Sequence, residues 1–272
     1  MKTHHVTWWV FIWYEKGYNA KNMRPKILLI QFRLNPLHSE LEAASMVREL
    51  GEGVDMVCLS ALDDTLVWGN PEALLLPYDG LILGGSGDFD FDGDRAVDDS
   101  AQIRSYELLE QLRPLFDYIF ATDFPTFGIC FGHQMIGAYA GATVRHDPQQ
   151  KKSRSHQVSV VTENAPALFA GIASTFYAHY GHKDSLDQVP AGATLLVQGG
   201  DECQVSALHY LTNIFTTQFH PELTVDDMRK RLELLPGYLP EGVEVSQVFT
   251  DDTNANRILR NFSELVIQRS YR

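Results

Sequence analysis

The sequence predicts an α/β protein built on a mixed sheet, on the strength of three observations. Apolar runs at Lys26–Gln31, Val54–Cys58 and Gly80–Leu83 alternate early in the chain with an amphipathic stretch. Such alternation marks right-handed βαβ units in a parallel sheet. Between residues 142 and 219 the pattern changes to closely spaced β-type segments, which favours a mixed sheet. The chain has 272 residues with 44% hydrophobic content, enough for one substantial core.

Lys26-Ile27-Leu28-Leu29-Ile30-Gln31 reads as a strand buried on both faces, because its apolar residues run on without polar alternation. The amphipathic stretch from Ser39 to Leu50 reads as a helix ended by Gly51. Val54–Cys58 is the second strand, and Gly80–Leu83 the third, running straight into Gly84-Gly85-Ser86-Gly87. One long helix is expected over Ala101–Phe116, with Ile103, Leu108, Leu109, Leu112 and Leu115 as its apolar residues. Pro125–Ile129 then returns to the sheet and abuts Cys130.

β-type segments follow at Ala142–Arg145, His156–Val161, Thr175–His179, Ala193–Val197, Val205–Tyr210 and Ile214–Phe219. Helical patterns at Val225–Leu235 and Ala255–Ile267 are separated by the Pro- and Gly-containing stretch Pro236–Thr253. No repeat or low-complexity linker divides the chain, so residues 23–272 are expected to form one domain.

Residues 1–22 stand apart. The aromatic-rich run Val6–Tyr14 is too short for a membrane span, which needs roughly 20 apolar residues. No A-x-A-like cleavage site follows it, which argues against a secretory signal. Met23 directly precedes the first strand and reads as an alternative start, leaving residues 1–22 as an extension without a role in the fold. No membrane partner is expected.

The formal net charge of −13 argues against nucleic acid as a partner, since phosphate binding needs clustered Lys and Arg. Cys58, Cys130 and Cys203 are widely spaced and odd in number, so neither a disulfide framework nor a zinc ribbon can be read from them. A reducing cytoplasm fits that usage.

Gly128-Ile129-Cys130-Phe131-Gly132-His133-Gln134 places a cysteine between two glycines where a strand ends and a helical pattern begins. This is the sequence form of a nucleophile elbow, whose sharp turn leaves no room for side chains two residues either side. The turn also sets Cys130 at a helix N-terminus, where free N–H groups and the dipole stabilise a thiolate. A buried structural cysteine in a Gly-flanked turn would have the same local sequence.

Gln218-Phe219-His220-Pro221-Glu222 lies at the end of the strand Ile214–Phe219. In extended chain, residues two apart project to the same side, so His220 and Glu222 can adjoin, and Pro221 biases His220 toward that conformation. A carboxylate beside imidazole orients it and stabilises the imidazolium formed when it takes a thiol proton. Cys130 is thus expected as nucleophile, His220 as general base and Glu222 as the residue orienting it; a surface His-Pro-Glu turn is the reading if the motif stands alone.

Gly84-Gly85-Ser86-Gly87 can present bare N–H groups at a strand's C-terminal end. With the N–H of Phe131, that of Gly85 is expected to form an oxyanion hole, while Gly84 and Ser86 border the substrate. The loop lacks the Lys and Ser/Thr of a P-loop and the G-x-G-x-x-G spacing, so nucleotide binding is not expected.

These motifs, in this order, resemble those of class I glutamine amidotransferases, and the similarity spans roughly residues 26 to 223. Gly181-His182-Lys183-Asp184-Ser185-Leu186 is similar to the family's Ser-His-x-Asp-x-Val segment, with Gly181 in place of Ser. Within the family the chain looks like a free-standing glutaminase of the GMP synthase type.

The resemblance implies a flavodoxin-like, three-layer α/β/α sandwich with a mixed, largely parallel central sheet. It also implies that Gln134 contacts the bound glutamine or γ-glutamyl group. The backbone near His182 would hold that group's α-amino and carboxylate ends. The implied reaction is attack of Cys130 on a γ-glutamyl amide, loss of ammonia or amine, and hydrolysis of the thioester, with no metal or organic cofactor required.

The chain carries no ATP-binding signature of its own. The leading expectation is therefore a free-standing hydrolase of glutamine or another γ-glutamyl amide. The next is a glutaminase subunit delivering ammonia to a separate synthetase, and a third is a non-catalytic regulatory or binding protein retaining the fold.

Asp88-Phe89-Asp90-Phe91-Asp92-Gly93 matches the start of an EF-hand loop. Asp99 stands in place of the bidentate Glu, Arg95 replaces the usual apolar residue, and no helix precedes, so a solvated acidic loop is the stronger reading. A third reading has the loop overhang the pocket and select a cationic leaving group or acceptor. His179 and His182 have H-x-x-H spacing without a matching carboxylate-bearing helix, and Lys151-Lys152-Ser153-Arg154 reads as a solvated turn.

Overall fold

The computed structural model describes residues 24–150, 154–162, 166–200, 203–234 and 248–271. The expectations for residues 1–22, for most of the basic cluster at 151–154 and for most of the stretch 236–253 lie outside the described residues.

In chain order the first half comprises β1 (Lys26–Gln31), α1 (Pro36–Leu50), β2 (Asp55–Ser60), α2 (Pro71–Leu75), β3 (Gly80–Leu83), α3 (Ser100–Gln111), α4 (Arg113–Thr122), β4 (Thr126–Ile129) and α5 (Phe131–Tyr139). The second half comprises β5 (Val144–His146), β6 (Ser155–Val160), β7 (Thr175–His179), β8 (Asp184–Leu186), β9 (Ala193–Gln198), β10 (Ala207–Tyr210), β11 (Ile214–Thr217), α6 (Val225–Leu234) and α7 (Asn254–Ser270).

Nine strands form one sheet in the order β2-β1-β3-β4-β11-β10-β9-β6-β7, and β5 pairs with β8 separately. The pairings from β2 through β11 are parallel, and those from β11 to β7 are antiparallel. The expected α/β sandwich with a mixed sheet is what the chain forms.

The pleat explains the layers. Ile27 and Leu29 of β1 face a core that includes Met46 and Leu50 of α1 and Ile258 and Phe262 of α7. Leu28 and Ile30 point the other way, into a core with Leu108 of α3, Phe116 of α4 and Met135 of α5. Successive side chains on a strand alternate faces, so an uninterrupted apolar run requires helices on both sides.

Two helices depart from the sequence reading. Helix α1 starts at Pro36, three residues before Ser39, because the Asn35 carboxamide accepts the Leu37 N–H at 3.0 Å and Pro36 fits the first turn. Its C-terminal cap is Gly51, at φ 77°. The single helix expected over Ala101–Phe116 divides at Leu112 into α3 and α4. Pro114 has no N–H to give, and its ring would strike the carbonyl four residues earlier, so a continuous helix is interrupted there.

The topology also positions chemistry. Strands β1, β3, β4 and β11 are parallel neighbours, so their C-terminal ends lie along one edge of the sheet. The residues that follow those ends are Arg33, Gly84–Gly87, Cys130 and Gln218–Glu222. Open α/β sheets form their sites at this edge.

Candidate active site

Cys130 links β4 to α5 with φ 52° and ψ −99°, a backbone conformation that L side chains rarely adopt. Neighbouring groups hold it there: its N–H donates to Thr217 O at 2.8 Å, and its carbonyl accepts the Gln134 N–H at 3.0 Å. The flanking glycines are steric requirements. A Cβ on Gly128 would lie 2.8 Å from the Gly132 carbonyl oxygen, and one on Gly132 would run into the Leu83 carbonyl oxygen. Because the strain falls on a non-glycine residue, Cys130→Gly should raise stability by about 1 kcal/mol while removing the thiol, measurable by denaturant unfolding.

Cys130 is 3% exposed. Its sulfur lies 3.6 Å from Gln218 Nε2 and 3.9 Å from the Gly181 carbonyl oxygen. Its charge acts on the His220 imidazole, favouring the protonated ring. The His220 N–H donates to His179 O at 2.9 Å, which fixes the backbone, and its Nδ1 lies 2.7 Å from Glu222 Oε1. With Nδ1 committed to Glu222, Nε2 is the ring nitrogen available to the thiol.

Burial opposes a charge on His220, but the Glu222 carboxylate, then Cys130, and the hydrogen bond to Glu222 push its pKa up to about 9. Glu222 is fully buried; burial works against its charge too, and His220 followed by Arg231 brings the carboxyl below its ordinary range. Other buried histidines go the opposite way. Burial first, then the charge of a neighbouring histidine, lowers His133 to about 3 and His179 to about 4. His220 is therefore set apart from them as a charged imidazolium near neutral pH.

A stability test follows. The folded pKa of His220 exceeds its unfolded value, so its contribution is fully present below about pH 6.5 and is lost as pH rises through about 9. The stability gap between wild type and Glu222→Gln should be widest at pH 6 and should narrow by pH 9.5. Denaturant unfolding at both pH values checks it; a gap that widens with pH would refute the imidazolium–carboxylate pair.

Gly85 sits where the reacting groups converge: a Cβ there would lie 3.2 Å from Arg33 Nη2, 3.2 Å from His220 Cε1 and 3.6 Å from Cys130 Cβ. Its N–H donates to Glu42 Oε1 at 3.1 Å, so in this conformation the donor expected for an oxyanion is already engaged. Phe131 opens α5, where the first N–H groups have no partner within the helix. Gly84 accepts the Gly132 N–H at 3.1 Å, tying the glycine loop to the elbow.

Ser86 Oγ accepts the N–H groups of Asp88 and Phe89, at 3.0 and 3.1 Å. Gln134 is buried, with Nε2 donating to Asp184 O at 2.8 Å and to Gln218 Oε1 at 3.2 Å. The His182 ring turns into the fold, its Nδ1 2.9 Å from Asp184 O, while the backbone one residue earlier, at Gly181, meets the sulfur.

Four residues beside the centre had no assigned role in the sequence reading. Arg33 pairs with the fully buried Glu42 at 2.7 Å, and Glu42 also accepts Gln31 Nε2 at 3.1 Å. Gln218 bridges Gln134 and Cys130. Arg231 of α6 lies 3.5 Å from Glu222 Oε1. Glu42 could have been noticed, because it falls four residues before Met46 and eight before Leu50, on the apolar face of α1. Arg33 lies two residues past the C-terminal end of β1, where function is expected in such sheets.

The acidic loop corrects the reading in which it selects cations at the pocket. Asp88 accepts the Leu34 N–H, Asp90 pairs with Arg95 and Lys183, and Asp92 accepts the His146 N–H. The N–H groups of Asp92 and Gly93 donate to Asp184 at 2.8 and 2.7 Å, and Asp99 caps α3. These carboxylates are used in folding the loop, and the charged residues lining the opening beside His220 are Arg33 and Arg231, with His38. His179 and His182 bond Ser155 Oγ and Asp184 O, and among the described residues no group of three or more His, Cys, Asp or Glu is placed to hold a metal ion. Among the same residues, Cys58, Cys130 and Cys203 form no disulfide, and no helix is long and apolar enough to cross a membrane.

Comparisons with known proteins place the chain in a family. The family model for glutamine amidotransferase class-I matches residues 44–234. The glutamine-hydrolyzing GMP synthase subunit of Methanocaldococcus jannaschii is 35% identical over 117 residues, covering 42% of this chain and 60% of that protein. The protein of the same name from Methanosphaera stadtmanae is 26% identical over 155 residues, covering 57% and 71%. The chain thus spans about 60% of the length of the first of these relatives. A glutamine amidotransferase structure from Thermotoga maritima superposes with a TM-score of 0.67 at 18% identity, covering 91% of this chain and all of that one, a likeness of fold. Taken with the elbow and the His-Pro-Glu turn beside it, the family match shows that this chain belongs to the class I glutamine amidotransferase family.

Proposed function

We propose that the chain hydrolyses the side-chain amide of glutamine through a γ-glutamyl thioester on Cys130. The observation that carries this reading is the buried Cys130–His220–Glu222 constellation, with the thiol at an elbow and the imidazole held by a carboxylate at 2.7 Å.

The sulfur attacks the γ-carbonyl carbon, and the carbonyl oxygen takes up negative charge. Phe131 N–H is a donor available to that oxygen; Gly85 N–H joins it only after leaving Glu42. His220 then gives its proton to the departing nitrogen as the C–N bond breaks, and ammonia leaves. Water attacks the thioester, His220 takes its proton, and glutamate departs with the thiol restored. Glu222 keeps the ring oriented and its positive charge stabilised throughout. Gln134, Ser86 and the backbone at Gly181–His182 border the glutamyl group.

The test is to acid-quench the chain during turnover of glutamine and to look for a glutamyl adduct on the peptide containing Cys130. An adduct that forms and decays at the rate of ammonia release supports the thioester; steady turnover without one, under conditions that trap acyl enzymes, refutes it.

A second level concerns what happens to the ammonia. The relatives named as glutamine-hydrolyzing GMP synthase subunits favour a two-component arrangement, in which this chain serves a separate synthetase chain. Addition of a synthetase chain from the same organism should then raise glutamine hydrolysis. An unchanged rate in a mixture that also forms no complex would favour the free-standing hydrolase.

A further inference from the structure

The geometry points to an anion subsite on the leaving-group side of His220, formed by Arg33 and Arg231, that accepts γ-glutamyl amides whose departing amine carries a carboxylate. This inference rests on the thioester reading and names a substrate class for the same centre beyond glutamine itself.

Position comes first. A general acid must face the nitrogen that departs, so any substituent on that nitrogen extends past His220. The space it would enter is a cavity of about 60 Å³ lined by His220, Gly181, Arg33, His38, Arg231 and Leu223. Ammonia, about the size of a water molecule, needs roughly 10–15 Å³ of such space. The cavity is therefore larger than a departing ammonia requires.

Charge comes second. The Arg33 side chain is 7% exposed, and its Nε is buried without a hydrogen-bond partner among the described residues. The Arg231 side chain is 16% exposed, and its ion pair with Glu222 is long, at 3.5 Å. Each guanidinium carries five N–H donors in a planar fork suited to a carboxylate. Donors left unused in a nearly dry cavity beside a reacting centre are costly unless a ligand satisfies them. Glu42 and Glu222 balance the two charges, and they hold the forks in place.

The rest of the lining is compatible with a short aliphatic linker. Leu41, Leu223 and Met228 line the same opening and would pack the methylenes between the amide nitrogen and the acid. The reaction balances as hydrolysis: the γ-carbonyl C–N bond breaks, the nitrogen takes a proton from His220, and water supplies the hydroxyl of glutamate and the proton restored to the enzyme.

The experiment compares γ-glutamyl-β-alanine with γ-glutamyl-β-alaninamide, which differ at the terminal charge, using the full chain. Wild type should favour the acid by about ten-fold or more in kcat/KM, the scale of a charge-assisted hydrogen bond. Arg231→Gln should bring that ratio toward one, and Arg231→Lys should retain part of it. The ratio cancels any general loss of turnover. If the arginines instead hold the α-carboxylate of the glutamyl group, Arg231→Gln weakens both substrates equally and the wild-type ratio is already near one, which overturns the proposal.

A second readout does not need turnover. Alkylation of Cys130 by iodoacetate relative to iodoacetamide, followed by mass spectrometry, should fall several-fold in Arg231→Gln. A chain that hydrolyses glutamine through Cys130 but shows neither effect retains the thioester reading and loses the subsite. A chain whose glutamine hydrolysis persists in Cys130→Ala loses the thioester reading itself, while the alkylation ratio still tests the subsite.

Discussion

Cys130→Ala is expected to lower ammonia release from glutamine by about 10⁴-fold or more while leaving the fold intact. The size of the effect follows from what the sulfur does. Its removal takes away the bond to the γ-carbonyl, and no other thiol among the described residues is placed in the constellation. His220 and the donors around it could then only assist direct attack by water, a route far slower than the covalent one.

The fold should survive because the packing change is small. The Cys130 sulfur makes two long contacts, to Gln218 Nε2 and to Gly181 O, and alanine keeps the Cβ that the elbow already accommodates. Thermal unfolding should therefore shift by no more than about 1 kcal/mol in stability. Covalent labelling by a chloroketone analogue of glutamine should disappear in the same variant. Residual hydrolysis above about one part in a hundred, from a purified sample free of other glutaminases, would remove Cys130 from the mechanism.

Gly132→Ala has the largest expected effect on stability. The new methyl would overlap the Leu83 carbonyl oxygen and lie 2.8 Å from the Leu83 Cβ. The obstacle is the backbone of β3, a central strand paired on both sides, so it cannot swing away as a flexible side chain would. Helix α5 would have to lift from the sheet. Overpacking of this kind should cost about 3 kcal/mol or more.

Activity should fall with it, because the same lift breaks the Gly132 N–H bond to Gly84 O and displaces both Phe131 N–H and Cys130. Gly69→Ala provides the contrast, since nothing lies within 4 Å of a Cβ at that position, and it should change stability by less than about 0.5 kcal/mol. Chemical denaturation of the two variants checks the pair. Equal stabilities would mean that the elbow is softer than its contacts imply.

Several features of the candidate site were legible along the chain because they are local. Gly128, Cys130 and Gly132 occupy one turn, and a turn's steric demands are written in the residues that make it. His220 and Glu222 are two apart in extended chain, so their contact at 2.7 Å needs no knowledge of distant segments. The apolar run of β1 likewise announced two covering layers of helix, and the cores on either side of it contain the alternate residues expected.

Other features were hidden by distance or by competing local chemistry. The division of the expected helix at Leu112 turned on Pro114, whose missing N–H outweighed a continuous apolar period. Strand β8 is three residues long and, among the described residues, pairs only with β5, so it has no periodic signal of its own. The acidic loop read along the chain as a solvated loop with a partial match to a cation site, and its partners Leu34, His146, Lys183 and Asp184 come from remote parts of the chain.

The sequence by itself determined that a thiol would sit at a strained strand-to-helix turn and that an imidazole would carry its own carboxylate, because both depend on residues within a few positions of one another. The tertiary structure alone decided what surrounds them. The strand order placed β1 beside β3, which brought Arg33 and Glu42 against Gly85, and α6 laid Arg231 beside Glu222. Charge pairing across 9 positions of sequence in each case is set by packing, and packing is a property of the whole sheet with its helices.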